Sequence, residues 1–209
     1  MNRYNILCFG DSITYGCWDK KFGGWVNHLR IAYQSNQGND QYVIYNQGIS
    51  GQNVLEINER FDSECKPRIT ENGKNMIVIA IGINDSQIRN NQEYVSKDTF
   101  KRELTSLIQK AKTYTSTILC LGLTQVDETL TCPRHNNPHI YYYNKRIQEY
   151  DEIIKRTCLE NKVEYLYMFD SFNKDELSDG LHPNEIGHQK ISKRIKEKLD
   201  CIGEKNYDD

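Results

Sequence analysis

Four short stretches hold the residue types that nucleophilic catalysis needs. Phe9-Gly10-Asp11-Ser12 offers a hydroxyl, and Asn46-Gln47-Gly48-Ile49-Ser50-Gly51 offers glycine backbone that a ligand could approach closely. Gly82-Ile83-Asn84-Asp85 offers an uncharged amide, and Asp179-Gly180-Leu181-His182-Pro183 offers a carboxylate and an imidazole. A serine hydroxyl is a poor nucleophile at neutral pH and needs a base to take its proton. An imidazole, whose unperturbed pKa is ~6.5, suits that task, provided a group such as a carboxylate holds it in one tautomer. Asp179 lies three residues before His182, close enough to bend back to the ring nitrogen far from the serine. Pro183 ends that loop and Asn184 starts a helix, which fixes the direction of His182. Asp-Gly and Pro-Asn are also ordinary turn chemistry, so the pair gains its meaning from Ser12 upstream.

These stretches need a scaffold that brings them together. Apolar runs over residues 4–9, 42–45, 76–81, 117–123 and 163–169 predict five strands. The run at 76–81 is apolar throughout, as expected where helices cover both faces of a parallel sheet. Helical periodicity predicts five helices, from about Gly24 through Ala32 and over 53–65, 99–113, 141–161 and 184–199, with Asp98 as the N-cap of the third. Residues 34–40, 86–97 and 124–138 read as polar connectors or loops. Strands alternating with helices imply one α/β domain, doubly wound, with a five-stranded, mostly parallel sheet and helices on both faces. In such sheets ligands bind beyond the C-terminal ends of the strands. The first three chemical stretches lie directly beyond strands one, two and three, and the fourth lies some residues beyond strand five.

Composition limits the partners. A chain of 209 residues suits a single domain, here residues 1–202 with a polar tail over 203–209. Charged residues make up 27% and the net charge is −2, which gives no reason to expect nucleic acid or an anionic membrane. No apolar run approaches the ~20 residues that span a bilayer. Met1 leads straight into the first strand with no secretory pattern, and the seven scattered cysteines include no CxxC pair. A cytoplasmic location with reduced thiols is therefore expected. The five histidines show neither HExxH nor zinc-finger spacing, and Pro138 stands between His135 and His139. No metal and no cofactor are expected.

Ser12, Gly51, Asn84 and the pair Asp179 and His182 resemble, in order and one per expected loop, the four signature blocks of the SGNH hydrolases, the GDSL esterase/lipase family. The resemblance runs from Phe9 to His182, and Ile13 stands where the family name suggests Leu, a volume-conserving change. It implies a serine esterase with a Ser12, His182, Asp179 triad. It also implies an oxyanion hole made by the backbone N–H groups of Ser12 and Gly51 and the side-chain amide of Asn84, with Gly48 as the alternative donor. Asp11 and Asp85 could mark a metal-dependent phosphoesterase, but read better as structural carboxylates bonding loop amides.

Substrate signals are fewer. Tyr15, Trp18 and Trp25 could form an aromatic wall, although Trp25 sits at helical core spacing. The loop 124–138, with Asp127, Glu128, Arg134 and His135, is the candidate lid. Its polarity suits a short acyl group, acetyl above all, on a sugar or another small polar alcohol, and Arg134 is a candidate for an anionic substrate group. An acyltransferase using the same nucleophile and a non-catalytic module that binds acylated glycans are the alternatives.

Overall fold

Along the first strand Leu7 and Phe9 face one side while Ile6 and Cys8 face the other, and each pair is fully buried in a different core. This is the mark of a sheet covered on both faces. The structure, a computed structural model, describes residues 2–35, 40–71 and 73–205. The first half runs β1 (Arg3–Gly10), α1 (Ser12–Tyr15), α2 (Trp25–Gln34), β2 (Gln41–Gly48), α3 (Val54–Cys65) and β3 (Lys74–Ala80). Two short strands follow, β4 (Ile88–Arg89) and β5 (Gln92–Glu93), then α4 (Lys97–Lys112) and β6 (Thr117–Leu121). The chain continues through α5 (Glu128–Thr131), β7 (Ile140–Tyr141), α6 (Asn144–Asn161), β8 (Glu164–Leu166) and α7 (Glu185–Lys205).

The main sheet has the order β2-β1-β3-β6-β8, parallel throughout. The chain leaves β1 for the edge at β2 and crosses back to β3, so the point where strand order reverses lies between β1 and β3. On one face α3, α4 and α6 pack Phe61, Phe100, Leu104, Leu107, Ile154 and their neighbours against the sheet. On the other, α2 and α7 pack Trp25, Leu29, Ile191, Ile195 and Leu199. Trp25 is fully buried, so it belongs to the core and not to an aromatic wall. Full burial of such side chains contributes roughly 1.5–3 kcal/mol each, which holds the strand ends rigid beneath the loops they carry.

The segments read as loops contain more structure than their polarity suggests. β4, β5 and β7 form a small antiparallel sheet that joins the 86–97 segment to the stretch just after the 124–138 segment. Two-residue strands leave too little periodicity to read. Tyr141 therefore pairs with Ile88 as a strand residue, and α6 begins at Asn144 with the extended Tyr143 as its N-cap. Helix α4 begins at Lys97, because Ser96 Oγ accepts from Thr99 N at 3.3 Å; Asp98 sits in its first turn instead of capping it. Strands β6 and β8 stop at Leu121 and Leu166, short of 123 and 169. Helix α7 continues to Lys205, past the expected end at Leu199 and into the expected tail; residues 206–209 lie outside the described residues, as does most of the 34–40 connector. All seven cysteines are free. Among the described residues no helix is long and apolar enough to cross a membrane.

Candidate active site

Gly10 pairs with Gly48 on one side and Ala80 on the other, so β1, β2 and β3 end level with one another. The single turn α1 then lies directly on those ends. A Cβ on Gly10 would stand 2.1 Å from Thr14 Oγ1, and one on Gly48 would stand 2.2 Å from the backbone N of Tyr15. Neither glycine has a positive φ. Both are needed for space, which makes Gly48 a packing residue under α1. Asp11 caps this turn by accepting from Ile13 N at 2.9 Å.

Ser12 opens α1, where a helix's first N–H groups have no acceptor within the helix. Its Oγ lies 2.8 Å from His182 Nε2, across 170 residues of chain, and both side chains are buried. His182 Nδ1 stands 2.8 Å from Asp179 Oδ2 and 3.1 Å from Oδ1. Asp179 Oδ1 also accepts the backbone N–H groups of His182 at 2.9 Å and Leu181 at 3.1 Å. Burial alone would raise the Asp179 carboxyl; the His182 ring and these N–H groups outweigh it and hold the group well below the usual carboxylate range. An ionised Asp179 accepts a hydrogen bond from Nδ1–H, which keeps the ring proton on Nδ1 and leaves Nε2 bare to accept from Ser12.

Gly51 lies past the end of β2 with φ 84°, a left-handed conformation that favours glycine, and a Cβ there would meet nothing within 4 Å. The Asn84 amide is fixed from both ends. Its Nδ2 donates to Gln52 O at 2.9 Å, and its Oδ1 accepts from the Tyr142 hydroxyl at 2.9 Å. Among the described residues Gln52 O is the acceptor of Nδ2, which leaves its second hydrogen unpaired there. Neither Gln52 nor Tyr142 carries a sequence signal for this contact.

The two carboxylates beside these groups are buried and bond loop amides. Asp11 holds Ile13 N, and Asp85 Oδ1 accepts from Val54 N at 3.0 Å at the start of α3. Burial pushes Asp11 up to about 6 and Asp85 up to about 7, against the opposing pull of those N–H groups. Among the described residues no cluster of three or more His, Cys, Asp or Glu side chains is placed to hold a metal ion. His188, unassigned in the sequence, is a buried bracket: it accepts from Trp25 N at 3.2 Å and bonds Cys17 O at 2.9 Å, which ties the loop after α1 to α2 and α7.

A groove of about 420 Å³ adjoins the carboxylate end of this chain of hydrogen bonds. Trp18, Leu130, Arg134, His135, Asn136, Ser178 and Asp179 line it. Trp18 has φ 72° and is 49% exposed. Arg134 Nη2 stands 3.7 Å from Asp179 Oδ2, an ion contact beyond hydrogen-bond length. Tyr15 is 60% exposed but is not among the residues that line this groove. The 124–138 segment thus forms one wall of the groove, and Asp127 N donates to Gly180 O at 2.8 Å, stitching that wall to the Asp179 loop.

Comparison with known proteins follows the same lines. The profile of the GDSL-like lipase/acylhydrolase family matches residues 8–190. No curated protein matches the sequence. Among solved structures the chain is similar to Axe2, an acetylxylan esterase from Geobacillus stearothermophilus, with TM-score 0.74, 19% identity and 93% of each chain covered. It is likewise similar to the lipase/acylhydrolase from Enterococcus faecalis, with TM-score 0.73, 19% identity and 95% of each chain covered. At such identities the likeness is one of fold, and the family profile, spanning all four chemical stretches, carries the assignment. The chain belongs to the GDSL-like lipase/acylhydrolase family, the SGNH hydrolases, and is a carboxylic ester hydrolase.

Proposed function

We propose that this protein hydrolyses short-chain esters, acetyl esters above all, of a sugar or another small polar alcohol through an acyl-enzyme on Ser12. The observation that carries the reading is the unbroken chain from Ser12 Oγ through His182 to Asp179, with contacts of 2.8 Å on each side of the ring. Ser12 Oγ attacks the ester carbonyl while His182 Nε2 takes its proton. The tetrahedral oxyanion is met by the N–H groups of Ser12 and Gly51 and the free amide hydrogen of Asn84, each such donor being typically worth ~2.7–4 kcal/mol of barrier. His182 returns the proton to the departing alcohol oxygen. Water then repeats the sequence on the acyl-serine, releasing the acid and restoring Ser12.

The groove supports a polar alcohol portion. Trp18 offers a flat apolar face, while Arg134, His135 and Asn136 offer donors, a pairing suited to a ring that bears hydroxyl groups. Nothing in that lining forms the long apolar channel an extended acyl chain needs. Axe2 is described as an acetylxylan esterase, which agrees with this substrate class.

Incubation with a fluorophosphonate followed by peptide mass spectrometry tests the nucleophile: the adduct is expected on Ser12, and an intact active protein without it removes the acyl-enzyme reading. Substrate length is tested with nitrophenyl esters. Turnover is expected to be greatest for acetyl and to fall with each added pair of carbons; a maximum at eight carbons or longer would sink the short-acyl assignment.

A further inference from the structure

We infer that Tyr142 is a positioning residue for catalysis: its hydroxyl orients the Asn84 amide and sharpens it as an oxyanion donor. The inference rests on the esterase reading above and assigns a role to a residue outside the triad and the hole. Tyr142 is 1% exposed, and its hydroxyl donates to Asn84 Oδ1 at 2.9 Å. Burial pushes its phenol up, away from ionisation, so it remains a donor across any ordinary assay range. Asn84 Nδ2 meanwhile donates to Gln52 O at 2.9 Å. A donor at the oxygen end and an acceptor at the nitrogen end admit only one orientation of the amide. Flipped, it would set two acceptors against each other at Gln52 and would lose the Tyr142 hydroxyl as a donor to its oxygen.

The same contact acts on strength. A hydrogen bond accepted at the amide oxygen polarises the group, and linked hydrogen bonds strengthen one another. The remaining N–H therefore becomes a better donor to developing negative charge. It also becomes a better-aimed one, because both ends of the amide are anchored.

Tyr142 is itself held firmly. Its backbone N donates to Thr131 O at 3.1 Å, and its carbonyl accepts from Thr131 Oγ1 at 3.1 Å and Cys132 Sγ at 2.9 Å. These partners lie in α5 and just beyond it, in the segment that also supplies Leu130 and Arg134 to the groove. One wall of the groove thus carries the anchor of the oxyanion amide. The sequence gives no hint of this, since the two residues are 58 positions apart and Tyr142 lies in a segment with helical periodicity.

The test compares Tyr142→Phe, Asn84→Ala and the double variant on an acetyl ester. Tyr142→Phe keeps the buried ring and removes only the hydroxyl. Because Gln52 O still holds the nitrogen end, the loss is partial: kcat is expected to fall about 10-fold with KM unchanged, in line with one neutral hydrogen bond. In the Asn84→Ala background the same change is expected to have no further effect on kcat. The Asn84 side-chain NH₂ resonances, identified by their loss in Asn84→Ala, should shift in folded Tyr142→Phe. Wild-type kcat in Tyr142→Phe, or a loss that adds in full to that of Asn84→Ala, overturns the inference. Fluorophosphonate labelling of Ser12 in each variant keeps that failure apart from failure of the esterase reading, since labelled Ser12 with an inert Tyr142→Phe change indicts Tyr142 alone.

Discussion

Replacing Ser12 with alanine is expected to lower kcat/KM on a simple acetyl ester by at least about 10⁴-fold, the scale seen when a serine triad loses its nucleophile. The loss is this large because, among the described residues, Ser12 supplies the one hydroxyl that meets His182 Nε2, at 2.8 Å. Residual turnover is expected to reflect binding and the oxyanion donors, which act on water attack without a covalent step. The fold should survive. Only Oγ is removed, Asp11 still caps α1, and Gly10 and Gly48 still seat it on the strand ends. Circular dichroism and thermal unfolding close to those of the parent, with the fluorophosphonate adduct gone, complete the expected result. Substantial esterase activity in a folded Ser12→Ala protein would mean that another group forms the acyl-enzyme or that none forms.

Asp179→Asn is expected to cost about 10⁴-fold in kcat with little change in KM, through the tautomer of His182. The geometry makes the reason specific. Asp179 Oδ1 accepts two backbone N–H groups, from Leu181 and His182, so an asparagine must keep its carbonyl oxygen there. Its amino group then faces His182 Nδ1, in the place of the Oδ2 that stood 2.8 Å away. Two donors cannot meet, so the ring shifts its proton to Nε2 and can no longer take one from Ser12. Arg134, beside Oδ2 in the parent, would lose an ion contact of 3.7 Å, a long one between two partly exposed side chains. The effect should appear in kcat and in the rate of fluorophosphonate labelling, with some loss of thermal stability beside it, because the fold stabilises the ionised carboxylate. If Asp179→Asn labels and turns over at the parent's rate, the carboxylate is not the group that sets the tautomer.

The fold was legible because its evidence is local. Period-two and period-3.6 apolar patterns are set by which faces each segment must bury. The covered sheet follows from the unbroken apolar run that became β3. Elements too short to complete a period escaped. The hairpin of β4 and β5 and the single turns α1 and α5, the latter two capped locally by Asp11 and Asp127, are too short to show a period, and β7 exists only through its distant pairing with β4. The misplaced start of α6 has that long-range origin, for Tyr141, which the expected helix included, pairs with Ile88 as a strand residue.

The chemical types at the strand ends were equally local: a serine after β1, glycines after β2, an asparagine after β3, and a carboxylate three residues before an imidazole. The sequence by itself determined that inventory and the alternating order of strands and helices, because residue chemistry and hydrophobic period belong to short windows of chain. Only the tertiary structure decided how the inventory is aimed. The level ending of β1, β2 and β3 depends on inter-strand register. The seating of α1 depends on missing Cβ atoms at Gly10 and Gly48, the orientation of Asn84 on Gln52 and Tyr142, and the meeting of Ser12 with His182 on closure of 170 residues of chain. Each is a contact between residues far apart in the chain, selected by packing of the whole domain, and no pattern within any one segment encodes it.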